Sequence, residues 1–298
     1  IREPSGSADS AKLLEAGRAD FAVMDINDFG IARQHGLDIV AIAAVVQRPL
    51  AAVIAADRGA IRSPADLEGA TVGVTGVPSD DAVLDTVLGA GGLGPGAVER
   101  QTIGFQAAPL LAAGRIDAAT AFWNAEGVQL REQGVPTREF RVDEIGAPRY
   151  PELVIATSDR ATDSQICRFA RGLASGYSVL ADDPSAALQA LLDEVPSLDG
   201  ETEQRQLEAL LDSEAFIPVL RDRPSPALQH GPIAKWSAWA SRRGVIDQPG
   251  FVTDGDGDGP LPASGDSLVQ KGFFPPRTTD PRSELGKCLI DAFYRGST

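Results

Sequence analysis

Short apolar runs alternate with helically spaced apolar positions along the first half of the chain. Residues 21–24, 39–46, 50–56, 71–74, 101–105, 116–122, 140–142 and 153–156 read as buried strands. Between them, residues 8–16, 31–35, 80–88 and 107–113 carry helical spacing and run into glycine stops. Ser63-Pro64 opens one further helical turn by N-cap and Pro-at-N1 chemistry. From Asp163 the chain turns helical. Ile166, Phe169, Leu173, Tyr177 and Leu180 mark one face of a long helix, and residues 185–195 and 204–211 form two more. Ile233, Trp236 and Trp239 mark another, closed by Gly244, and at that spacing the tryptophans read as core rather than as a ligand box.

Strand-helix alternation predicts an α/β fold with parallel sheets, whose ligands bind beyond the carboxyl ends of the strands. One segment nearly repeats. Leu-Leu-Glu-Ala-Gly-Arg-Ala-Asp begins at Leu13, and Leu-Leu-Ala-Ala-Gly-Arg-Ile-Asp begins at Leu110. Each copy leads through a glycine into an apolar strand with polar residues behind it, so the two predict equivalent elements of two lobes facing a shared cleft. The strand-end rule selects Asp25, Asn27 and Asp28, the 76–81 segment with Gly76, Pro78 and Ser79, then Trp123, Asn124 and Glu126, and Tyr150 with Glu152. Asp80 and Asp81 read as first-turn acids of a helix. Glu126, flanked by an aromatic and an amide, reads as a ligand acceptor. With acids at these ends and no Arg or Lys in the selected segments, the expected ligand is neutral or cationic and carries N–H donors. Trp123 and Tyr150 either stack on an aromatic ring or wall the cleft.

Composition narrows the classes. The chain has 298 residues, enough for two lobes, and its formal net charge of −15 opposes nucleic acid or an anionic membrane as partner. Cys167 and Cys288 lack zinc or redox spacing and read as small buried hydrophobes. No apolar run reaches the roughly 18 residues of a membrane span, and the opening has no signal-peptide pattern. His35 and His230 fall at helix ends. No catalytic triad, nucleophile elbow, phosphate loop or metal cluster is legible, so neither catalytic nor metal-ligating residues are assigned and no cofactor is expected. The glycines of residues 89–96 follow a helix and form a turn rather than a dinucleotide loop. Residues 254–259 match the start of an EF-hand loop, but Gly265 stands where the bidentate acid belongs, so the stretch reads as a solvated linker.

Three segments carry a family resemblance: residues 72–88 (VGVTGVPSDDAVLDTVL), residues 102–127 (TIGF through LLAAGRIDAATAFWNAEG) and residues 143–158 (DEIGAPRYPELVIATS). Together they resemble the type II periplasmic-binding-protein solute receptors of ABC importers, in the branch of thiamine-pyrimidine-precursor binders and the related pyrimidine synthase. The resemblance spans residues 1–247. It implies two Rossmann-like lobes joined by two crossover strands, near residues 50–56 and 153–157. Lobe 1 would comprise residues 1–56 and 158–247 and lobe 2 residues 57–157; the family has no obvious counterpart of residues 251–298, so residues 248–298 read as a C-terminal tail in which Leu285, Cys288, Leu289 and Phe293 mark a short docking helix. The family's strand-end motif falls on Trp123, Asn124 and Glu126, its Gly-x-Pro-Ser segment on Gly76 to Ser79, and its Tyr-Pro-Glu-Leu segment on Tyr150 to Leu153. The implied function is capture of a thiamine pyrimidine precursor by a monomeric, extracytoplasmic receptor that hands it to an ABC permease. Riboflavin or another small solute, or a pyrimidine-synthase-like enzyme, are the alternatives. The family also implies a strand and helix before residue 1, of order 30 residues, that are missing from this sequence, which reads as starting inside a longer chain.

Overall fold

Ala51–Ala56 is buried at every position, as a strand must be when it has a neighbour on each edge and side chains packed on both faces. In the computed structural model, which describes residues 7–57, 60–218, 224–247 and 283–295, this strand is β3, flanked by β6 (Ala118–Phe122) and β7 (Thr137–Arg141). Beyond β6 lie β4 (Thr71–Val74) and then β5 (Glu99–Thr102), giving a five-stranded sheet in the order β5-β4-β6-β3-β7. Side chains alternate across it. Ala52 and Ile54 pack with Leu111 of helix α4 (Ala107–Ala112) and Leu130 of α5 (Glu126–Glu132). Val53 and Ala55 pack on the other face with Leu84 and Val87 of α3 (Pro78–Ala90).

A second sheet has three strands, β1 (Phe21–Asp25), β8 (Leu153–Ser158) and β2 (Ile39–Val46), in the order β1-β8-β2. One face packs on Leu14 of α1 (Ser7–Glu15), Phe29 of α2 (Ile26–Gln34) and Trp236 of α10 (His230–Arg242). The other packs on Ile166 and Ala170 of α7 (Asp163–Asp182) and on Leu285 and Leu289 of the C-terminal helix Glu284–Ile290. Two further helices, α8 (Pro184–Glu194) and α9 (Gly200–Asp212), follow α7.

The expectation of parallel sheets needs correction. β8 runs antiparallel to both its neighbours and β3 to both of its own, because each enters its sheet from the other lobe. Among the described residues only β4 with β5 and β4 with β6 pair in parallel. The helix expected at 31–35 starts earlier, at Ile26, because the Asp25 carboxylate accepts the Asn27 and Asp28 N–H groups at 2.7 and 3.2 Å and caps it. The strand expected at 101–105 stops at Thr102, since Gly104 turns the chain at φ 57°. Cys167 and Cys288 are not separate hydrophobes. They form a disulfide, with Cα atoms 5.9 Å apart, that ties the C-terminal helix to α7. The acidic stretch 254–259 lies outside the described residues.

The internal repeat is structural. Gly17 and Gly114 have φ of 64° and 65°, Arg18 N–H donates to Leu13 O at 2.8 Å, and Arg115 N–H donates to Leu110 O at 2.9 Å. Residues 13–27 align without a gap on 110–124, which makes β1 equivalent to β6, Ile26 to Trp123, and Asn27 to Asn124. In each lobe the repeated strand lies beside the antiparallel crossover strand, β8 or β3. Even the strand-end bonds match: Ile26 N–H donates to Glu152 O at 2.9 Å and Trp123 N–H to Leu50 O at 3.0 Å. β6 continues into β4 on its far edge. Among the described residues β1 has no such neighbour, and Val23 there is 49% exposed.

Candidate functional site

Strand register brings the candidate residues to one place. Asp25 at the end of β1 and Val46 at the end of β2 both lie opposite Leu153 at the start of β8. Phe122 at the end of β6 lies opposite Ala51, and Arg141 at the end of β7 opposite Ala52. Residues 47–50 link β2 to β3, so the strand ends of both sheets converge on this four-residue crossover.

The crossover is held from every side. Gln47 Nε2 donates to Ser225 O and Ala227 O, both at 2.9 Å. Arg48 makes a bidentate pair with Asp143, at 3.0 and 3.1 Å, and donates to Ser213 O at 3.1 Å. Trp123 Nε1 donates to Pro49 O at 3.0 Å. Leu50 N–H donates to Glu152 Oε2 at 2.7 Å.

Four of the ten predicted residues surround the start of β8. Glu152 is buried, and its pKa is raised well above the usual carboxyl range, first by burial, then by the charge of Asp25 and a hydrogen bond to it. Burial and the Asp25 charge thus favour the protonated form of Glu152. Tyr150 is fully buried, and burial with Glu152, Asp25 and Asp143 nearby raises its pKa as well. Its hydroxyl has no partner in hydrogen-bonding geometry, although the Asn27 amide lies near it. Asn27 is buried and accepts the Trp236 indole N–H at 2.9 Å.

Trp123 is buried under two guanidinium groups, with Arg141 4.1 Å and Arg48 5.5 Å from the ring centroid. Asn124 is buried and its Oδ1 has no hydrogen-bond partner. Glu126 opens α5, and its Oε2 accepts the Phe122 N–H at 2.9 Å. Gly76, at φ 96°, and Pro78, the first residue of α3, are exposed on the loop after β4, with Ser79 half-buried behind them. Asp80 lies in the first turn of α3 and accepts the Thr75 hydroxyl at 2.6 Å, which ties the loop after β4 to the helix.

Sequence reasoning passed over several groups. Arg48 stands two residues past β2 and Arg141 ends β7, so the strand ends do carry cations. Both are ion-paired, Arg48 with Asp143 and Arg141 with Glu139. Extending the strand-end rule to every apolar run finds both. Phe105, 77% exposed on the loop after β5, was hidden inside an expected strand. His230 is buried rather than solvated, and burial lowers its pKa. Among the described residues no group of acids, histidines and cysteines is arranged to hold a metal.

Comparison with known proteins now adds identity to geometry. Residues 1–187 match the family model described as NMT1/THI5 like. The formylaminopyrimidine-binding protein of Halalkalibacterium halodurans is 30% identical over 217 residues, covering 70% of this chain and 66% of that protein. A Haemophilus influenzae protein named for thiamine biosynthesis is 31% identical, covering 66% of this chain and 63% of its own length. The match thus spans just under two thirds of each relative. Among solved structures, the alkanesulfonate-binding protein SsuA of Xanthomonas axonopodis superposes with a TM-score of 0.62 at 18% identity, covering 83% of both chains. The Escherichia coli aliphatic sulphonate binding protein superposes at 0.64 and 14%, covering 82% of this chain and 77% of its own. At such identities these two report the fold alone, which is the two-lobed periplasmic-binding-protein architecture. The chain belongs to the NMT1/THI5-like family.

Proposed function

We propose that this protein is the receptor of an ABC importer and captures a thiamine pyrimidine precursor between its lobes. The observation that carries this reading is the Asp25–Glu152 pair beside Tyr150 at the crossover. A pair of carboxyls in which Glu152 is favoured in its protonated form offers acceptors for an exocyclic amine and a donor for a ring nitrogen, the two functions on the edge of a 4-aminopyrimidine. Tyr150 and Asn27 adjoin the pair, and the orphaned Asn124 Oδ1 faces no partner of its own. Gly76, Pro78 and Ser79 would close on the ligand from the second lobe, with Trp123 and Glu126 shaping that wall. The ion pairs of Arg48 and Arg141 leave little free positive charge for a sulfonate.

The relative named for formylaminopyrimidine supports the ligand class. We retain the division into residues 1–56 with 158–247, 57–157, and a tail from 248. The partner is a membrane permease, the site of action extracytoplasmic, and the role binding rather than catalysis. A disulfide suits an oxidising compartment. Titration calorimetry with formylaminopyrimidine, riboflavin and taurine tests the reading. Micromolar or tighter binding of formylaminopyrimidine is expected. Tight taurine binding with neither heterocycle bound overturns the ligand class, and a pyridoxal phosphate absorbance band on the purified protein overturns the non-catalytic role.

A further inference from the structure

Helix α10 lies across the place where the two lobes meet. Trp236 reaches into the first lobe, where its indole N–H meets Asn27 Oδ1 at 2.9 Å and its ring tip presses on α2. A Cβ on Gly30 would sit 2.8 Å from that ring, so the helix has been left bare to receive it. Trp239, one turn on, stacks on Tyr150 with ring centroids 5.6 Å apart and planes at 30°. Its N–H donates at 3.3 Å to Thr86 Oγ1, on α3 of the second lobe. Ala82 and Val83 of α3 belong to the same apolar cluster as Met24, Phe29, Trp236 and Trp239.

We infer that α10 is an internal occupant of the heterocycle site: Trp236 and Trp239 supply the ring and N–H donors that a ligand would supply, and ligand capture requires α10 to give way. The inference rests on the proposed receptor function. Two observations carry it. First, the chemistry matches, an aromatic ring on Tyr150 and an N–H on Asn27. Second, the repeat provides a control inside the molecule. Asn124 is the counterpart of Asn27, is equally buried, and has an unpartnered Oδ1. The carboxamide at this strand end is thus an acceptor that needs a donor, and only in the first lobe does an indole provide one. Because α10 touches α2 and α3 at once, it also holds the lobes together, so opening the cleft must break the Trp239–Thr86 contact. Apparent affinity is then reduced by the fraction of molecules whose site is free.

The test uses the full chain and formylaminopyrimidine as probe. Trp236→Phe keeps an aromatic ring but frees Asn27, and Thr86→Val removes the acceptor for Trp239 without touching the site. Each should tighten binding roughly 3–10-fold, the equilibrium weight of one neutral hydrogen bond. Hydrogen exchange across residues 230–242 should rise when the probe binds the wild-type chain. Unchanged or weaker binding by both variants, or added protection of α10 on binding, overturns the inference and leaves the receptor function standing. Absence of probe binding by the wild type and both variants overturns the two together. Binding by the variants alone supports occupation of the site by α10 in its strongest form.

Discussion

Replacing Glu152 by glutamine should flatten the pH dependence of stability above the ordinary carboxyl range. In the folded protein Glu152 keeps its proton because it is buried against Asp25. In the unfolded chain it titrates near the ordinary glutamate value of 4.5. Below that value both states are protonated and the residue contributes nothing. As pH rises further the unfolded state releases a proton that the native state retains, so stability falls, by about 1.4 kcal/mol per pH unit, until the pH passes the raised folded pKa. Glutamine keeps the shape, can donate to Asp25 through its amide and accept the Leu50 N–H through its carbonyl, and has no proton to lose. The gap between variant and wild type should therefore open from about zero near pH 4.5 by up to about 1.4 kcal/mol per unit, or roughly 2–3 °C in Tm per unit for a chain of this size. His230 runs the other way, since its lowered pKa adds stability as pH rises through the histidine range, but it is common to both proteins and cancels in the difference. The assay is thermal unfolding followed by circular dichroism from pH 4.5 to 7.5 at constant ionic strength. Parallel Tm curves would refute the raised pKa of Glu152, and a variant that loses stability faster than wild type would refute the geometry.

Other substitutions probe the supports of the site. Arg48→Ala strands the Asp143 carboxylate, whose side chain is 5% exposed, and should cost about 3–5 kcal/mol in denaturant unfolding; Arg48→Ala with Asp143→Asn should recover much of that. Gly30→Ala drives a methyl into the Trp236 ring and should cost about 1–3 kcal/mol, with a shift in tryptophan emission. Reducing the Cys167–Cys288 disulfide, which spans 121 residues of sequence, should lower stability by about 2–4 kcal/mol and raise hydrogen exchange in the C-terminal helix first.

What could be read from the sequence was local. The glycine stops at Gly17 and Gly114, the apolar strands and the acids just beyond them follow from spacing and capping chemistry over a few residues. The start of α2 at Ile26 is not legible from apolar spacing, because it is set by the Asp25 side chain acting as its cap. The groups that shape the site were illegible for a different reason. Arg48 meets Asp143 across 95 residues, and Trp236 meets Asn27 across 209. Nothing in periodicity names such partners. Trp236 and Trp239 were rightly read as core, yet that core lies where the lobes meet.

The repeat explains why two related lobes present unlike walls. The crossovers correspond as well as the strands: Tyr150-Pro-Glu-Leu leads into β8 where Arg48-Pro-Leu-Ala leads into β3. One entry brings a phenol and a carboxyl, the other a guanidinium and an apolar side chain, and the two interlock through the Leu50 N–H on Glu152. The guanidinium is neutralised by Asp143, while burial and Asp25 favour the protonated form of the first entry's acid, Glu152. That acid sits beside the strand-end acid Asp25, whereas Phe122 occupies the equivalent position in the second lobe. On the proposed function, selection for N–H donors would therefore fall on the first lobe. Fixed by backbone bonds, Asp25 and Glu152 would themselves need little reorganisation to receive the proposed ligand once α10 gives way, which would favour affinity. On the same proposal the second lobe would contribute the acceptor Asn124 and the exposed loop after β4, so that closure would add contacts to a ligand already oriented by the first.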